Sequence, residues 1–257
     1  MCGRFVSARK RLELLEEFAA TRDAVKDDRD PDYNVAPTKR IYTVLTHKGE
    51  EHNGERELKL MRWGLVPTWA KDISGGSRLI NARAETVAVK PSFRSAFAKR
   101  RCLIQADGYY EWMTLPDGPD AKKKTKQPYY IHRKDNGILA FAGIYELWRD
   151  KQLAADSPED NVDSWYWSAS IITTDATDEI GRIHDRTPMI IKPENWTDWL
   201  DPKNNERELL LATMLPATSS PGGGLTSYKV GPAVGAVRNN GPGLIEPLGD
   251  PERPALF

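Results

Sequence analysis

The sequence predicts an α+β protein, a single domain with a mixed, largely antiparallel, curled or barrel-like β-sheet and peripheral helices. Strand-like segments separated by polar or glycine-containing turns recur along most of the 257 residues. Long helices do not alternate with them, which argues against a doubly wound α/β sheet. No linker or repeat divides the chain. We therefore expect one domain over residues 1–257, with its core at about 2–247 and a short tail at 248–257.

The first half of the chain supplies a helix, then the first strands. Apolar residues at helical spacing in KRLELLEEF predict a short amphipathic helix, and RIYTVLTH and LKLMRWGLV predict strands by their β-branched and aromatic content. DISGGS is a loop by composition, and SFRSAFAKR predicts a short helix. RCLIQADGYYEWM predicts two strand pieces that bend at Asp107 and Gly108.

The second half continues the strand signal and ends with two helices. QPYYIHR, ILAFAGIYELW and WYWSASIITT predict strands, and the long connection RDKQLAADSPEDNVDS predicts a surface insertion. ENWTDWL and NERELLLATML predict helices. TSSPGGG then predicts a flexible loop, and LTSYKV a last strand.

Charge and composition limit the function classes. Lys and Arg number 37 against 37 Asp and Glu, so the broad basic surface of many duplex-binding proteins is missing and any nucleic-acid site must be local. The lysine-rich run AKKKTKQ from Ala121 predicts a solvated loop, with a phosphate contact as the second interpretation.

The chain has no run of about 18 apolar residues and no secretory signal, which predicts a cytoplasmic protein without a membrane span. In that reducing compartment Cys2 and Cys102 are expected to be thiols, and Cys102 lies in an apolar strand. The 4 His and two Cys show no zinc spacing, so we expect neither a metal nor another cofactor. We also expect a monomer.

The chain opens MCGRF, with a cysteine directly behind Met1. A residue as small as Cys at this position permits removal of Met1, which leaves Cys2 with a free α-amino group beside its thiol. Ordinary pKa values of about 7.7–8.0 and about 8.5 leave both nucleophiles partly available at neutral pH. With an aldehyde they can form an imine and then a five-membered thiazolidine. The alternative is that Cys2 is an incidental small residue.

INARAET, from Ile80, combines three polar residues at alternate positions. In an extended segment, Asn81, Arg83 and Glu85 lie on one face of the chain. The alternative for Asn81 is that it caps a turn.

Two later stretches add titratable groups. ADGYYEW places Glu111 among aromatic residues, where desolvation raises a carboxyl pKa toward a value useful for acid–base catalysis. IHDRTPM places His184 two residues before Arg186, on one side of the chain if the segment is extended. Alternatively, Glu111 pairs with a surface lysine and His184 is a core histidine. Together with Cys2, these stretches suggest a site.

The order and spacing of seven motifs resemble those of the SRAP family, the SOS response-associated peptidase domain proteins. The resemblance covers nearly the whole chain, from Cys2 to about Pro247. The motifs that carry it are MCGRF, YNVAP, RWGLVPTW, INARAET, RCLIQADGYYEW, IHDRTPMII and AVGAVRNNG.

The resemblance implies a DNA–protein crosslinking, AP-lyase-like enzyme that recognises abasic sites in single-stranded DNA and joins them through Cys2. It further implies that Asn81 orients the amine or the opened sugar, that Glu111 is the acid–base group and that His184 assists proton transfer. The resulting thiazolidine shields the lesion. An imine that does not close permits β-elimination, and Glu111 can also catalyse reversal.

Five further residues are expected to contact DNA. Arg4, Arg83 and Arg186 suit the phosphate oxygens beside the lesion, although each can instead form a structural ion pair. Trp69 is expected to stack on or wedge beside a base. Pro37, in YNVAP, is expected to line the cleft as a backbone support.

Two other functions remain open. One is a thiol peptidase that uses its N-terminal cysteine, with its own Met1 as one target. The other is a noncatalytic single-strand binder, in which Cys2 and Glu111 are dispensable and the arginines are not. The tail DPERPALF loosely resembles peptides that bind sliding clamps, against the alternative of a frayed or self-packed terminus. Bound to DNA, the protein is expected in the nucleoid.

Overall fold

The computed structural model describes residues 2–27, 29–46, 54–115, 125–150, 165–176, 179–216 and 224–249. Three of the sequence expectations fall largely outside these ranges. They concern the lysine-rich run, the surface insertion and the loop TSSPGGG. The clamp-like end of the tail lies wholly outside them.

Strands dominate the described residues, as predicted. Their bounds are β1 Phe5–Ser7, β2 Arg22–Asp23, β3 Asp32–Val35, β4 Arg40–Thr46, β5 Arg56–Trp63, β6 Asn81–Arg83, β7 Arg101–Ala106, β8 Gly108–Thr114, β9 Lys126–Arg133, β10 Leu139–Arg149, β11 Trp165–Asp175, β12 Arg186–Ile191, β13 Met214–Pro216 and β14 Leu225–Lys229.

The larger sheet is barrel-like. Strands β10, β7, β4, β5 and β11 pair in that order, and β11 pairs back to β10, which closes a five-stranded ring. The β5–β11 contact is parallel and the other four are antiparallel, so the sheet is mixed. The predicted fold class is confirmed.

The smaller sheet has the strand order β14-β9-β8-β1-β3. The short β1 lies between β3 and β8, and its pairing with β8 matches Phe5 with Tyr109 and Val6 with Gly108. The backbone N–H of Tyr110 also donates to the carbonyl of Arg4, at 2.9 Å. This register places the residues that precede β1 beside the second half of β8.

Four α-helices lie around the sheets within the described residues: α1 Arg11–Glu17, α2 Arg94–Lys99, α3 Trp196–Leu200 and α4 Arg207–Thr213. The spacing in KRLELLEEF predicts Leu12, Leu15 and Phe18 on the apolar face of α1, but Leu14 and Phe18 are the fully buried residues and Leu12 is 73% exposed. Helix α4 is shorter than predicted because Met214–Pro216 pairs with β12, so those backbone groups bond across strands instead of along a helix.

Two glycines end or bend strands near the site. Gly64 has φ of +122°, and a Cβ there would lie 2.6 Å from the carbonyl oxygen of Gly76, so β5 ends at Trp63 and not at the predicted Val66. At Gly108 a Cβ would lie 2.5 Å from the Tyr130 ring, which explains why the predicted bend between β7 and β8 has a glycine.

Candidate functional site

Cys2 lies at the entry to β1 and is fully buried in the core between the sheets. Burial, followed by the negative charge of Glu111, raises the pKa of its thiol. The two side chains are neighbours because the β1–β8 register places the residues before β1 beside Glu111. At neutral pH the thiol is therefore protonated until a base accepts its proton.

Asn81 reaches Cys2 from the larger sheet. Strand β6 runs parallel to β11, with Asn81 matched to Ile171, and the indole N–H of Trp63 donates to the adjacent carbonyl of Ile80 at 2.9 Å. From this anchored backbone, Nδ2 of Asn81 donates to the Cys2 carbonyl at 2.8 Å. The Oδ1 atom is buried without a hydrogen-bond partner among the described residues. It is thus available to accept from a ligand or an amine.

Glu111 lies on β8 and is only 2% exposed. Burial raises the pKa of its carboxyl to about 7. A carboxyl group with that pKa is populated in both protonation states near neutral pH, so it can donate and accept protons in turn. The predicted effect of the aromatic surroundings on Glu111 agrees with this direction.

His184 lies in the turn before β12, with Nε2 3.9 Å from Oε2 of Glu111. Its Nδ1 accepts from the backbone N–H of Arg186 at 3.0 Å and also lies 2.8 Å from Asp185 Oδ1. These contacts require opposite protonation states of Nδ1. Burial lowers the pKa of His184, and the Asp185 side chain is 86% exposed, so the neutral ring that accepts from Arg186 is favoured. Its Nε2–H then faces Glu111.

The structure thus brings together the four predicted catalytic residues from distant parts of the chain. A buried thiol, an amide with an open acceptor, a carboxyl with pKa near 7 and a neutral imidazole surround one end of β1. This set can bind an electrophile at Cys2 and move protons to and from it.

Arg186 is not open to solvent. Its guanidinium forms a two-pronged ion pair with Glu85, at 3.0 and 3.1 Å, and also bonds Asp175 and the carbonyl of Thr173. The residue is 7% exposed. This geometry favours the structural ion pair over the DNA contact for Arg186. The sequence does not reveal that Glu85 and Asp175 share this guanidinium, because the two residues lie 90 positions apart.

The Arg4 guanidinium also forms its contacts within the protein. Its Nη1 donates to Asn34 Oδ1 at 2.7 Å and to the Val234 carbonyl at 2.9 Å, and its guanidinium lies 5.8 Å from the centre of the Trp112 ring. Asn34 in turn donates to the Asn239 carbonyl at 2.9 Å. These contacts join the YNVAP and AVGAVRNNG motifs and hold the first residues of the chain in place.

The other predicted DNA contacts are more accessible. Arg83 is exposed at the end of β6, with no ion-pair partner in the described part of the chain. Trp69 is 68% exposed in the loop after β5, and Pro37 is half-buried in the turn between β3 and β4. Arg83 and Trp69 therefore have the accessibility that a nucleic-acid contact requires.

A model of the SOS response associated peptidase (SRAP) family matches residues 1–237. The chain belongs to the SRAP family. Among its relatives, the abasic site processing protein YoqW of Bacillus subtilis is 37% identical, over 96% of this chain and 99% of YoqW. The abasic site processing protein YedK of Escherichia coli is 30% identical, over 96% of this chain and all of YedK. The resemblance read from the motifs is confirmed.

A solved structure supports the same assignment. The crystal structure of a protein from Bacteroides thetaiotaomicron superimposes with a TM-score of 0.75 at 26% identity, covering 96% of this SRAP chain and 100% of that chain. Within the described residues, no group of three or more His, Cys, Asp or Glu is placed to hold a metal ion, and no helix is long and apolar enough to cross a membrane.

Proposed function

We propose that this SRAP protein processes abasic sites in single-stranded DNA by joining them covalently to Cys2. The observation that carries the proposal is the arrangement of Asn81, Glu111 and His184 around the end of β1 that holds Cys2. The relatives named abasic site processing proteins support it. The electrophile is the C1′ aldehyde of the ring-opened deoxyribose.

The first step uses the α-amine of Cys2 and therefore requires prior removal of Met1. The amine adds to the aldehyde carbon and gives a carbinolamine. Glu111 in its protonated form donates a proton to the departing hydroxyl group, water leaves and a protonated imine forms. A pKa of about 7 keeps part of Glu111 protonated at neutral pH, which suits it to this role.

The second step closes the ring. The Glu111 carboxylate, having lost its proton, accepts the proton of the Cys2 thiol, whose raised pKa makes such a base necessary. The sulfur bonds to the carbon of the protonated imine, and the C=N π electrons move to nitrogen, which becomes the neutral amine of the ring. Aldehyde and aminothiol have then combined to a thiazolidine with the loss of one water. The cyclic product lacks the imine that promotes strand cleavage, so it shields the lesion.

Two residues position the reacting groups. Asn81 fixes the Cys2 carbonyl through Nδ2, and its Oδ1 accepts an N–H from the amine or a hydroxyl from the opened sugar. The Nε2–H of His184 lies close enough to Glu111 for a bound sugar oxygen to bridge the two side chains. His184 therefore assists proton transfer beside the sugar.

The same groups support reversal and a limited lyase activity. Protonation of the thiazolidine sulfur by Glu111 reopens the imine, and water then releases the aldehyde. An imine that does not close loses a proton from C2′ and expels the 3′ phosphate by β-elimination. The ratio of thiazolidine formation to β-elimination depends on how fast the thiol adds to the imine carbon.

The test is intact mass spectrometry of Met1-free protein mixed with a single-stranded oligonucleotide that carries one abasic site. We expect an adduct that survives denaturation, has lost one water and maps to Cys2. Cys2→Ala should form none. Cys102→Ala is the matched control and should react normally, because Cys102 lies within β7 and has no free α-amine beside its thiol.

Absence of an adduct from protein shown to lack Met1 contradicts the proposal. Cleavage of a peptide substrate in trans without DNA, lost in Cys2→Ala, would then favour the thiol peptidase.

A further inference from the structure

The start of β11 carries three consecutive aromatic rings, each with a cation above it. The pairs are Trp165 with Arg149 at 5.6 Å, Tyr166 with Arg62 at 6.0 Å and Trp167 with Lys59 at 4.4 Å, measured from the guanidinium carbon or ammonium nitrogen to the ring centre. Aromatic rings interleaved with cations are the pattern by which proteins hold single-stranded nucleic acid.

The three pairs differ in the face of β11 on which they lie and in whether the cation has an anionic partner. Successive side chains of a strand point to opposite faces, so Tyr166 lies on one face and both tryptophans lie on the other. Lys59 is neutralised by Glu57, 2.9 Å away. Arg62 has no hydrogen-bond or ion-pair partner among the described residues, and its Nη1 is buried without an acceptor. The Tyr166 face therefore has a cation that lacks an anion.

The loop that bears Trp69 lies over this same face. The backbone N–H of Val66 donates to Oγ of Ser168, which shares a face with Tyr166, at 2.8 Å. The indole N–H of Trp148 donates to the Ala70 carbonyl at 2.8 Å, and Trp148 is directly opposite Tyr166 in the β10–β11 register. The segment that carries Trp69, between Val66 and Ala70, thus runs along the face that bears Tyr166.

The same loop connects this face to the candidate catalytic site. Residues 64–80 run from the end of β5 to Asn81, and they contain Lys71 and Arg78, both exposed, against one acid, Asp72. The carboxylate of Asp72 is bonded by the N–H of Ser74 at 2.8 Å. In a chain of zero net charge, this segment and Arg62 form a local cationic surface.

We propose that Trp69, Tyr166 and Arg62 form an accessory binding surface for the single-stranded DNA that flanks the lesion. One base stacks on the Tyr166 ring, and a phosphate binds the exposed side of the Arg62 guanidinium, because Arg62 is half-buried and Nη1 is its covered nitrogen. Phosphate carries the charge and bases carry the flat rings that this surface fits, without selection for sequence. The proposal rests on the proposed function. It places the DNA that flanks the lesion on one face of the sheet at β10 and β11.

The test measures noncovalent binding of fluorescein-labelled oligothymidine, about 15 nucleotides long and without an abasic site, by fluorescence anisotropy. Tyr166→Leu should weaken binding about tenfold and Tyr166→Phe about twofold or less, because only phenylalanine preserves stacking. Arg62→Gln should reduce the slope of log K against log salt by about 0.7, as expected for one phosphate contact.

The matched controls are Trp165→Leu and Arg149→Gln, which alter the same chemistry on the opposite face and should leave affinity within about twofold. Equal affinities for wild type, Tyr166→Leu and Arg62→Gln overturn the proposal, as do equal losses in the controls. Near-ultraviolet circular dichroism verifies folding. If Tyr166→Leu does not fold, Arg62→Gln alone decides.

The adduct assay separates this inference from the proposed function. A wild-type adduct whose rate is unchanged in Tyr166→Leu and Arg62→Gln, on long and short oligonucleotides alike, refutes the surface and leaves Cys2 chemistry standing. Weakened oligothymidine binding by these variants, without an adduct from wild type, supports the surface and refutes the proposed function.

Discussion

Glu111 illustrates how a single side chain acquires its chemistry from burial. A carboxyl on a solvated strand is ionised at neutral pH and cannot act as a general acid. Here, removal of water from around the charged form raises the pKa to about 7. Near this pH, both the protonated and the ionised forms of Glu111 are populated. A fraction of the α-amine is also unprotonated there and can react.

We predict that Glu111→Gln slows adduct formation by about a hundredfold or more and slows reversal as well. For the wild type, the fraction of protonated Glu111 falls as pH rises through about 7, so a dehydration-limited rate should fall over the same interval. Gln cannot titrate, and this pH dependence should disappear. Adduct formed against time over a pH series gives both results. Rates equal to wild type at every pH would remove Glu111 from the mechanism.

At the scale of elements, Arg186 ties together the strands that present the site. Its side chain at the start of β12 bonds Glu85, just after β6, and the Thr173 carbonyl in β11. Its backbone N–H orients His184. The ion pair therefore holds the segments of Asn81 and His184 in one arrangement.

We predict that Arg186→Gln lowers stability by about 1–2 kcal/mol, because it removes the buried guanidinium that donates to the Thr173 carbonyl, whereas Glu85 and Asp175 are partly exposed and can be solvated by water. The salt dependence of DNA binding should not change. The exposed Arg83 provides the comparison, since Arg83→Gln should leave the melting temperature unchanged and reduce the salt slope by about 0.7. Thermal unfolding and salt-dependent anisotropy measure the two effects. The opposite result would make Arg186 the phosphate contact.

Arg101 joins helices to the barrel in the same manner. Its guanidinium donates to five backbone carbonyls, those of Phe97, Ala98, Trp199, Asp201 and Asn204. These carbonyls lie at or just beyond the carboxyl ends of α2 and α3, where the last turns of a helix leave acceptors unsatisfied. Burial lowers the pKa of Arg101 to about 10, so it remains charged at neutral pH.

We predict that Arg101→Lys destabilises the protein by about 2–4 kcal/mol, because an ammonium group has three donors and cannot satisfy five acceptors. The control is Arg94→Lys on the exposed side of α2, which should change stability by less than about 0.5 kcal/mol. Urea unfolding of both variants measures the difference. Equal stabilities for the two would show that the carbonyl contacts are not needed.

For the whole molecule, zero net charge means that DNA binding must rest on a local surface. Covalent capture and noncovalent binding are then separable. We predict that Cys2→Ala forms no adduct yet retains weak binding to single-stranded DNA, with affinity falling as salt increases. Anisotropy measurements at several salt concentrations provide the test. An adduct in Cys2→Ala that survives denaturation would show that stable capture does not need the Cys2 thiol.

The sequence by itself determined the class of sheet, the longer strands and the family. Strands such as β10 and β11 have 11 residues each, enough for their composition to identify them. It also indicated Cys2, Asn81, Glu111 and His184 as candidate site residues. Each was recognised from its own residue type and from the residues next to it in the sequence. Very short strands such as β1 and β6, with 3 residues each, are below the length at which a periodic pattern can be recognised.

Tertiary structure alone decided which polar groups meet. The Cys2 carbonyl and Asn81 are 79 residues apart, and Arg186 and Glu85 are separated by 101. Nothing local to Arg186 distinguishes a buried ion pair from a phosphate contact, because both use the same guanidinium. The physical reason is that side-chain periodicity depends on near neighbours in the chain, whereas the pairing of charges and the pKa of a buried carboxyl depend on neighbours that only sheet closure brings together.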